Sequence, residues 1–206
     1  MHHHMALAAL FVLIVGTARA QSRFPELDPE HMTPAQQQVV KNITSGPRHG
    51  MAGPFQAWLR SPELADRLQR VGEYVRFHTS IPHRLNELAI LINAREWDAA
   101  FEWYAHYKIA MQAGLLPSIA DAINARRRPE GMSADEALIY DFCTELYKNH
   151  AVSDATFNAV KERFGEQGVV DLLGVNGYYA AVSMTLNVAQ VPAPDDPSVP
   201  KLLPRE

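Results

Sequence analysis

The amino-acid sequence predicts an all-α protein, and three observations support that prediction. The stretch from Arg84 to Gly114 is a dense run of good helix formers with no proline and no glycine before its last residue. N-cap residues followed by apolar positions at helical spacing recur along the rest of the chain. No segment has the pattern of a convincing strand, and the spacing of glycine and proline does not suggest many short strands.

The central stretch predicts a helix hairpin around which the rest of the chain is organised. A single helix there would have about thirty residues, which is longer than is usual in a globular domain. Asp98 offers an N-cap in the middle, so we expect two helices, at 84–96 and 99–113. Gly114 is expected to end the second helix.

Local signals predict the flanking helices in turn. Thr33-Pro34 should start a helix over 34–44, and Ser61-Pro62 should start one that ends near residue 77. A short helix is expected from 117, and a capping box formed by Ser133 and Glu136 should open a helix to about residue 149. Ser153 should cap a helix that ends at Gly165, and an apolar helix should follow over 167–189.

Length, charge and cysteine content limit the classes of function. At 206 residues and 47% hydrophobic content, the chain can bury one core, so a single domain is expected. The formal charge of −4 comes without a long basic run, so no nucleic-acid partner is expected. Cys143 is the only cysteine, which excludes an internal disulfide and a Cys-x-x-Cys redox pair. Its place among apolar helix residues favours a buried structural thiol over a nucleophile.

The two ends of the chain are expected to differ from the domain between them. The apolar run Met5–Val15 followed by Ala18-Arg19-Ala20 is typical of a secretory signal, so we assign 1–20 to a signal peptide. The protein is therefore expected to be exported, to a bacterial periplasm, without stable membrane insertion after signal cleavage. We assign 21–190 to a helical domain and 191–206, which holds five prolines, to an extended tail on the surface or against a neighbour.

Glu87, Glu102 and His106 form the candidate catalytic group. Glu102 and His106 are one helical turn apart and can touch, while Glu87 stands among apolar residues of the preceding helix. A carboxylate raises the pKa of a neighbouring imidazole and burial lowers it, so such a pair can move protons near neutral pH. The alternative is a structural i,i+4 ion pair on a half-buried face. A metal site is disfavoured, because no second histidine stands at a ligand spacing. Arg76 and Arg95 flank the hairpin and are candidates to bind an anionic substrate, although each could equally be a surface or salt-bridge residue.

Several of these segments together resemble the carboxymuconolactone decarboxylase family. The resemblance rests on Glu87-Leu-Ala-Ile-Leu and Glu102-Trp-Tyr-Ala-His106, with Gly53-Pro-Phe, Ser61-Pro-Glu-Leu and Ile81-Pro upstream and Ala113-Gly-Leu downstream. It extends from about residue 33 to the end of the chain. It implies the all-helical fold of the alkylhydroperoxidase and carboxymuconolactone decarboxylase type, assembled into a homo-oligomer, a trimer or hexamer.

The resemblance favours the decarboxylase branch of that family over its thiol peroxidases. The peroxidase motif is Cys-x-x-Cys-x-x-x-His, and its two cysteine positions, counted back from His106, hold Ala99 and Glu102 here. A thiol peroxidase needs an attacking and a resolving thiol, so this chain lacks that chemistry.

The expected function is therefore a cofactor-free, metal-free lyase, or a related lactone-processing enzyme. Its substrate would be a small anionic unsaturated acid or lactone resembling 4-carboxymuconolactone, with His106 as proton donor, Glu102 setting its charge and Glu87 as a second acid or base. The alternative is a non-catalytic, ligand-binding oligomer that kept the fold.

Overall fold

The computed structural model describes residues 22–48 and 50–204, and within these ranges the chain is helical, with no strand. A short 3-10 turn, Pro29–His31, precedes eight α-helices. These are α1 (Pro34–Ser45), α2 (Phe55–Trp58), α3 (Pro62–Phe77), α4 (His83–Glu96), α5 (Ala100–Gln112), α6 (Pro117–Asn124), α7 (Ala134–Asn149) and α8 (Asp154–Ala189). The all-α prediction is confirmed. The signal peptide assigned to 1–20 lies outside the described residues.

The helix boundaries follow local chemistry closely. Thr33 and Ser133 each cap a helix in a complete capping box, in which the side chain at the third helical position bonds back to the cap backbone. Gly114 lies just after the C-terminal cap of α5 and has a φ of +88°. Glycine adopts this left-handed conformation readily because it has no Cβ atom. Gly165, with φ +74° and ψ 175°, breaks α8 where the sequence predicted a boundary between two helices.

Helix α4 is the centre of the protein and packs against α5, α6, α7 and α8. Every residue from Leu85 to Arg95 is buried, so this helix is covered on all sides by its own chain. The apolar face around Glu87 is therefore covered without a second subunit. The flanking helices provide the cover.

One local prediction was wrong, and two short elements were not predicted. Asp98 does not cap α5: its backbone is left-handed, with a φ of +47°, and Ala99 is the N-cap, without a side-chain hydrogen bond. The Asp98 carboxylate instead accepts hydrogen bonds from Arg95 at 2.8 Å and from Arg126 at 2.9 Å. The 3-10 turn and α2 were not predicted, because each is shorter than the window over which helical periodicity is visible.

The proline-rich tail is extended and lies on its own chain. Trp103 donates its indole N–H to the carbonyl of Pro200 at 2.8 Å, and the Asn124 side chain pairs with the backbone of Lys201 and Leu203, both at 2.9 Å. The tail thus lies against α5 and α6, and its own Val199 side chain is buried there.

Within the described residues, α8 alone is long and apolar enough, by length and composition, to cross a membrane. However, 56% of its most apolar 18-residue window is buried inside the protein. Its buried apolar side chains, among them Leu172, Val175 and Leu186, belong to the core cluster.

Candidate functional site

The packing of α4 against α5 brings the three predicted catalytic side chains together. Glu87 lies in the buried middle of α4, while Glu102 and His106 lie one turn apart on α5. The chain reverses between the two helices at the left-handed Asp98, and this turn lets α5 pack along α4. Glu87 therefore meets His106, although 19 positions separate them in sequence.

The three side chains form a continuous triad with His106 in the middle. Its Nδ1 lies 2.7 Å from a carboxylate oxygen of Glu87, and its Nε2 lies 3.0 Å from a carboxylate oxygen of Glu102. Their side-chain exposures are 0% for Glu87, 4% for His106 and 5% for Glu102. Each ring nitrogen of His106 therefore lies against a carboxylate, and all three side chains are almost completely buried.

The electrostatics of the triad favour an imidazolium. Burial alone lowers the pKa of His106, but the charges and hydrogen bonds of Glu87 and Glu102 outweigh that effect and raise the pKa to about 9. At neutral pH both ring nitrogens therefore carry protons; Nδ1–H donates to Glu87, and Nε2–H is ion-paired with Glu102. The second oxygen of Glu87 has no hydrogen-bond partner; the Nδ1 of His83 lies 4.0 Å from it.

One end of the triad opens into a cavity of about 290 Å³. Glu102 and His106 line this cavity, whereas Glu87 lies behind His106 and does not. Aromatic rings supply much of the remaining wall: Phe55, Phe101, Tyr104, Tyr178 and Tyr179. A larger recess of about 440 Å³ lies between α5 and the tail, but no member of the triad lines it. The smaller cavity is thus the one that could bring a ligand to the acid–base groups.

Two arginines add positive charge to the cavity wall. Arg76, at the end of α3, was predicted to bind an anion, and it lines the cavity. Arg48 lies in the loop after α1 and also lines it, with its guanidinium 5.3 Å from the centre of the Phe55 ring. Arg48 donates a long hydrogen bond of 3.4 Å to the Tyr178 hydroxyl, while its buried Nε has no partner.

The structure does not bring the second predicted anion ligand, Arg95, to this cavity. Its guanidinium donates to Asp98 at 2.8 Å and to the backbone carbonyl of Leu203 at 2.7 Å. Arg95 therefore ties the tail to the turn between α4 and α5. The distinction could not be drawn from sequence, because both arginines stand near the ends of helices that pack in the core.

Gly72 on α3 makes room for the polar groups behind the cavity wall. A Cβ at this position would overlap the Tyr178 hydroxyl and the Arg48 guanidinium. The close approach of α3 to α8 thus requires glycine here, and it sets the position of both side chains.

Tyr179 on α8 is the other polar group that faces the triad. Its ring packs edge-on against the His106 ring, with centroids 5.0 Å apart, and its side chain lines the cavity. The hydroxyl is buried and has no hydrogen-bond partner. Burial and the nearby charges of Glu102 and Glu87 raise the pKa of Tyr179 well above its usual value, so the hydroxyl stays protonated and can donate.

Cys143 is a buried structural thiol, as predicted. It is 0% exposed, and burial raises its pKa to about 12. The Asn176 amide donates to its sulfur at 3.4 Å. A thiol in this setting does not form a thiolate at neutral pH and has no access to a peroxide.

Across the described part of the chain, no group of three or more histidine, cysteine, aspartate or glutamate side chains is arranged to hold a metal ion. In the triad itself, both nitrogens of His106 are already engaged by carboxylates. The arrangement suits proton transfer.

Sequence reasoning did not identify Arg48 or Tyr179 as cavity residues. Arg48 follows a Gly-Pro pair in a loop, and a single arginine in a loop does not by itself indicate a binding site. Tyr179 stands on the apolar face of α8, where its spacing matches that of core residues such as Val175 and Val182. The one available hint was its hydroxyl, because a buried tyrosine usually has a partner for that group.

Comparisons with known proteins assign no family: no family model matches the chain, and no curated protein matches it.

Proposed function

We propose that this protein is a cofactor-free lyase that decarboxylates a small anionic unsaturated acid or lactone. The single observation that carries the proposal is the buried triad, which ends at the wall of a cavity that also holds two arginines. Such a site combines an acid–base chain with groups that attract a carboxylate, in a volume from which a bound ligand would exclude water.

The charges around the cavity suit an anion. Arg48, Arg76 and the His106 imidazolium are three cations, and Glu87 and Glu102 are two carboxylates, so the site has a formal surplus of one positive charge. Because charges interact more strongly in a dry interior than in water, this surplus favours a bound monoanion over a neutral compound. A dianion would leave one negative charge without a counterpart.

The proposed reaction breaks the bond between the ligand's carboxylate carbon and the neighbouring ring carbon. CO₂ leaves, the electron pair remains on the ring carbon, and conjugation delocalises it into the carbonyl of the acid or lactone. That carbon then takes one proton from the site, and solvent later returns one proton to the site. The overall change is the loss of CO₂ and the uptake of one proton.

The geometry favours Glu102 as the group that hands the proton to the ligand. The sequence-based hypothesis gave this step to His106, but both ring nitrogens of His106 are held by carboxylates. His106 can pass its Nε2 proton to Glu102, which lines the cavity and can pass it on to the carbon. Glu87 would then hold the remaining Nδ1 proton in place and stabilise the charged form of the ring.

The fold type, assembly and location are part of the same proposal. We infer a carboxymuconolactone decarboxylase-like fold, assembled as a trimer or hexamer in the bacterial periplasm. Exposed apolar side chains on α3 and α8 support self-association: Leu64, Val71, Val170, Leu173, Met184 and Val188.

A non-catalytic, ligand-binding oligomer is the second candidate. The observation that favours it is the engagement of both His106 nitrogens, since an ion-paired triad can stabilise a binding site without passing a proton on. The two functions differ in outcome: both predict binding of a carboxylated lactone, but only the lyase predicts release of CO₂.

The test is turnover of carboxylated unsaturated lactones by the wild type and by three variants. His106→Ala should lower kcat by about 10²–10⁴-fold, as expected for loss of a general acid–base group. Glu102→Gln should also lower kcat, and should shift the basic limb of any remaining pH profile downward, because His106 loses one of the charges that raise its pKa. His31→Gln is the matched control, since its side chain is 82% exposed.

Two results would count against the lyase. Equal turnover in His106→Ala and the wild type would remove His106 from the mechanism. Binding of the lactones without release of CO₂ by the wild type would favour the non-catalytic candidate.

A further inference from the structure

A recess of about 440 Å³ lies between α5 and the C-terminal tail, and no member of the triad lines it. Apolar side chains form most of its wall: Ala100, Trp103, Ala193, Pro194, Val199 and Leu202. Ala100 and Pro194 are exposed and Leu202 is partly exposed, so a molecule from solvent can reach this wall. At about 30 Å³ for each water molecule in the liquid, the volume is that of roughly fifteen waters, which leaves room for a compound of one or two rings.

Contacts with α5 fix the part of the tail that forms the outer wall of the recess. Trp103 on α5 donates its indole N–H to the carbonyl of Pro200 at 2.8 Å. Lys108, also on α5, pairs with Asp196 of the tail. Between these two contacts the tail buries the side chain of Val199, which is 7% exposed. The recess is therefore a formed site between two anchored walls, and not a gap beneath a loose segment.

The charged side chains around the recess cancel one another. Lys201 lies 2.8 Å from Asp195, and both line the recess. Asp196, which also lines it, is paired with Lys108. The four groups sum to zero charge, so an ion in the recess would compete with existing pairs, while a neutral compound leaves them intact. In this respect the recess differs from the cavity beside the triad, which two arginines line.

The Tyr104 hydroxyl is a hydrogen-bond donor that the recess offers to a neutral compound. Lys108 donates to its oxygen at 3.3 Å and also bonds to Asp196, so the hydroxyl lies at the recess, close to the tail. The Lys108 nitrogen is 5.0 Å from the centre of the Tyr104 ring, so one ammonium group holds both the ring and the hydroxyl. A phenol oxygen that accepts in this way keeps its own proton to donate, and a neutral acceptor such as a carbonyl oxygen suits that donor.

We propose that the recess is a second binding site, for a small neutral compound that is mainly apolar and carries one hydrogen-bond acceptor, held by the Tyr104 hydroxyl. This ligand differs in charge from the anion proposed for the cavity beside the triad, and the inference does not depend on the proposed lyase. Tyr104 lines both spaces, so the experiment must show which of them a probe occupies.

The experiment measures binding by NMR titration of isotope-labelled protein with two neutral probes of nearly equal shape. Acetophenone carries a carbonyl oxygen, and ethylbenzene carries no acceptor. The reporter is the indole N–H of Trp103, in the wall of the recess. The wild type should bind acetophenone about 2- to 10-fold more tightly than ethylbenzene, as expected for one hydrogen bond, and Tyr104→Phe should remove that preference. Benzoate, which is charged, should bind the recess more weakly than acetophenone does.

Two substitutions that fill the recess from opposite walls show where the probes bind. Ala100→Leu, on α5, and Ala193→Leu, on the tail, alter residues that line the recess and not the cavity beside the triad. Each should weaken both neutral probes by about tenfold or more, because the larger side chain occupies volume that the ligand needs. Ala155→Leu is the matched control, since Ala155 is exposed near the start of α8 and lines neither space. It should bind both probes as the wild type does.

The outcomes test the site, the donor and the ligand class in turn. No change at the Trp103 indole N–H with either neutral probe overturns the site. Unchanged binding in both Ala100→Leu and Ala193→Leu places the probes elsewhere and overturns it as well. Equal affinity of the wild type for acetophenone and ethylbenzene overturns the role of Tyr104, and tighter binding of benzoate overturns the neutral class. Failure of the protein to decarboxylate any lactone leaves this inference standing, since the probes are not substrates of the proposed lyase.

Discussion

The folded protein should lose stability as pH rises from about 6.5 to about 9, and His106 should be the main cause. The pKa of His106 is about 9 in the folded protein, against an ordinary value of 6.5. The pKa is raised, so the stabilisation is fully present below the unfolded value and is lost as pH rises through the folded value. The loss therefore falls in the window between about 6.5 and about 9.

The size of the effect follows from the shift. Each pKa unit corresponds to 1.36 kcal/mol, so a shift of between two and three units gives a loss of about 3 kcal/mol across the window. For a protein of this length, that loss should lower the melting temperature by about 6–12 °C. The magnitude depends on both carboxylates, since Glu87 and Glu102 together overcome the opposing effect of burial.

The assay is urea unfolding of the wild type and of His106→Gln at a series of pH values in this window. The variant should be less stable at acidic pH and should lack most of the pH dependence, because glutamine does not titrate. Cys143 also makes stability fall at high pH, since burial raises its pKa to about 12 and opposes ionisation in the fold. Both proteins contain that thiol, so the difference between them isolates His106. Parallel stability curves for the two proteins would refute the reasoning.

Two further predictions concern residues outside the triad. Cys143→Ser should retain any lactone decarboxylation, and the wild type should show no dithiol-driven hydroperoxide turnover, because the thiol is buried and protonated; robust peroxidase activity that this substitution abolishes would prove otherwise. Gly72→Ala should weaken binding of carboxylated lactones and lower the melting temperature, because the added methyl group displaces the Tyr178 hydroxyl and Arg48. Unchanged binding in that variant, measured by titration calorimetry, would show that Arg48 is not positioned by this contact.

The sequence predicted the parts of the fold that depend on neighbouring residues. Capping boxes at Thr33 and Ser133 and the breaks at Gly114 and Gly165 are decided within a few positions, so the helix boundaries could be predicted closely. The contact of Glu102 with His106 is of the same kind, because helical spacing alone brings positions four apart together.

The remaining features depend on packing between distant segments. Glu87 reaches His106 only because α4 and α5 lie side by side, and Arg48 and Tyr178 meet across 130 positions. Arg76 and Arg95 have the same chemistry and similar places near helix ends, yet only Arg76 lines the cavity. The left-handed turn at Asp98 was missed for a related reason, since its carboxylate accepts from Arg126, which follows a different helix.

The burial of the triad argues for chemistry over stability as its role. Taking two carboxylates and an imidazolium out of water costs several kcal/mol per ion, and well-packed apolar side chains in place of a buried ion pair are often as stable or more stable. A purely structural network would also satisfy all of its polar atoms, whereas one oxygen of Glu87 has no hydrogen-bond partner. Compared with apolar side chains, the triad is therefore an unfavourable means of stabilising the packing of α4 against α5. This cost in free energy is explained if His106 must stay charged beside the cavity, where it can pass a proton through Glu102 to a ligand held by the two arginines.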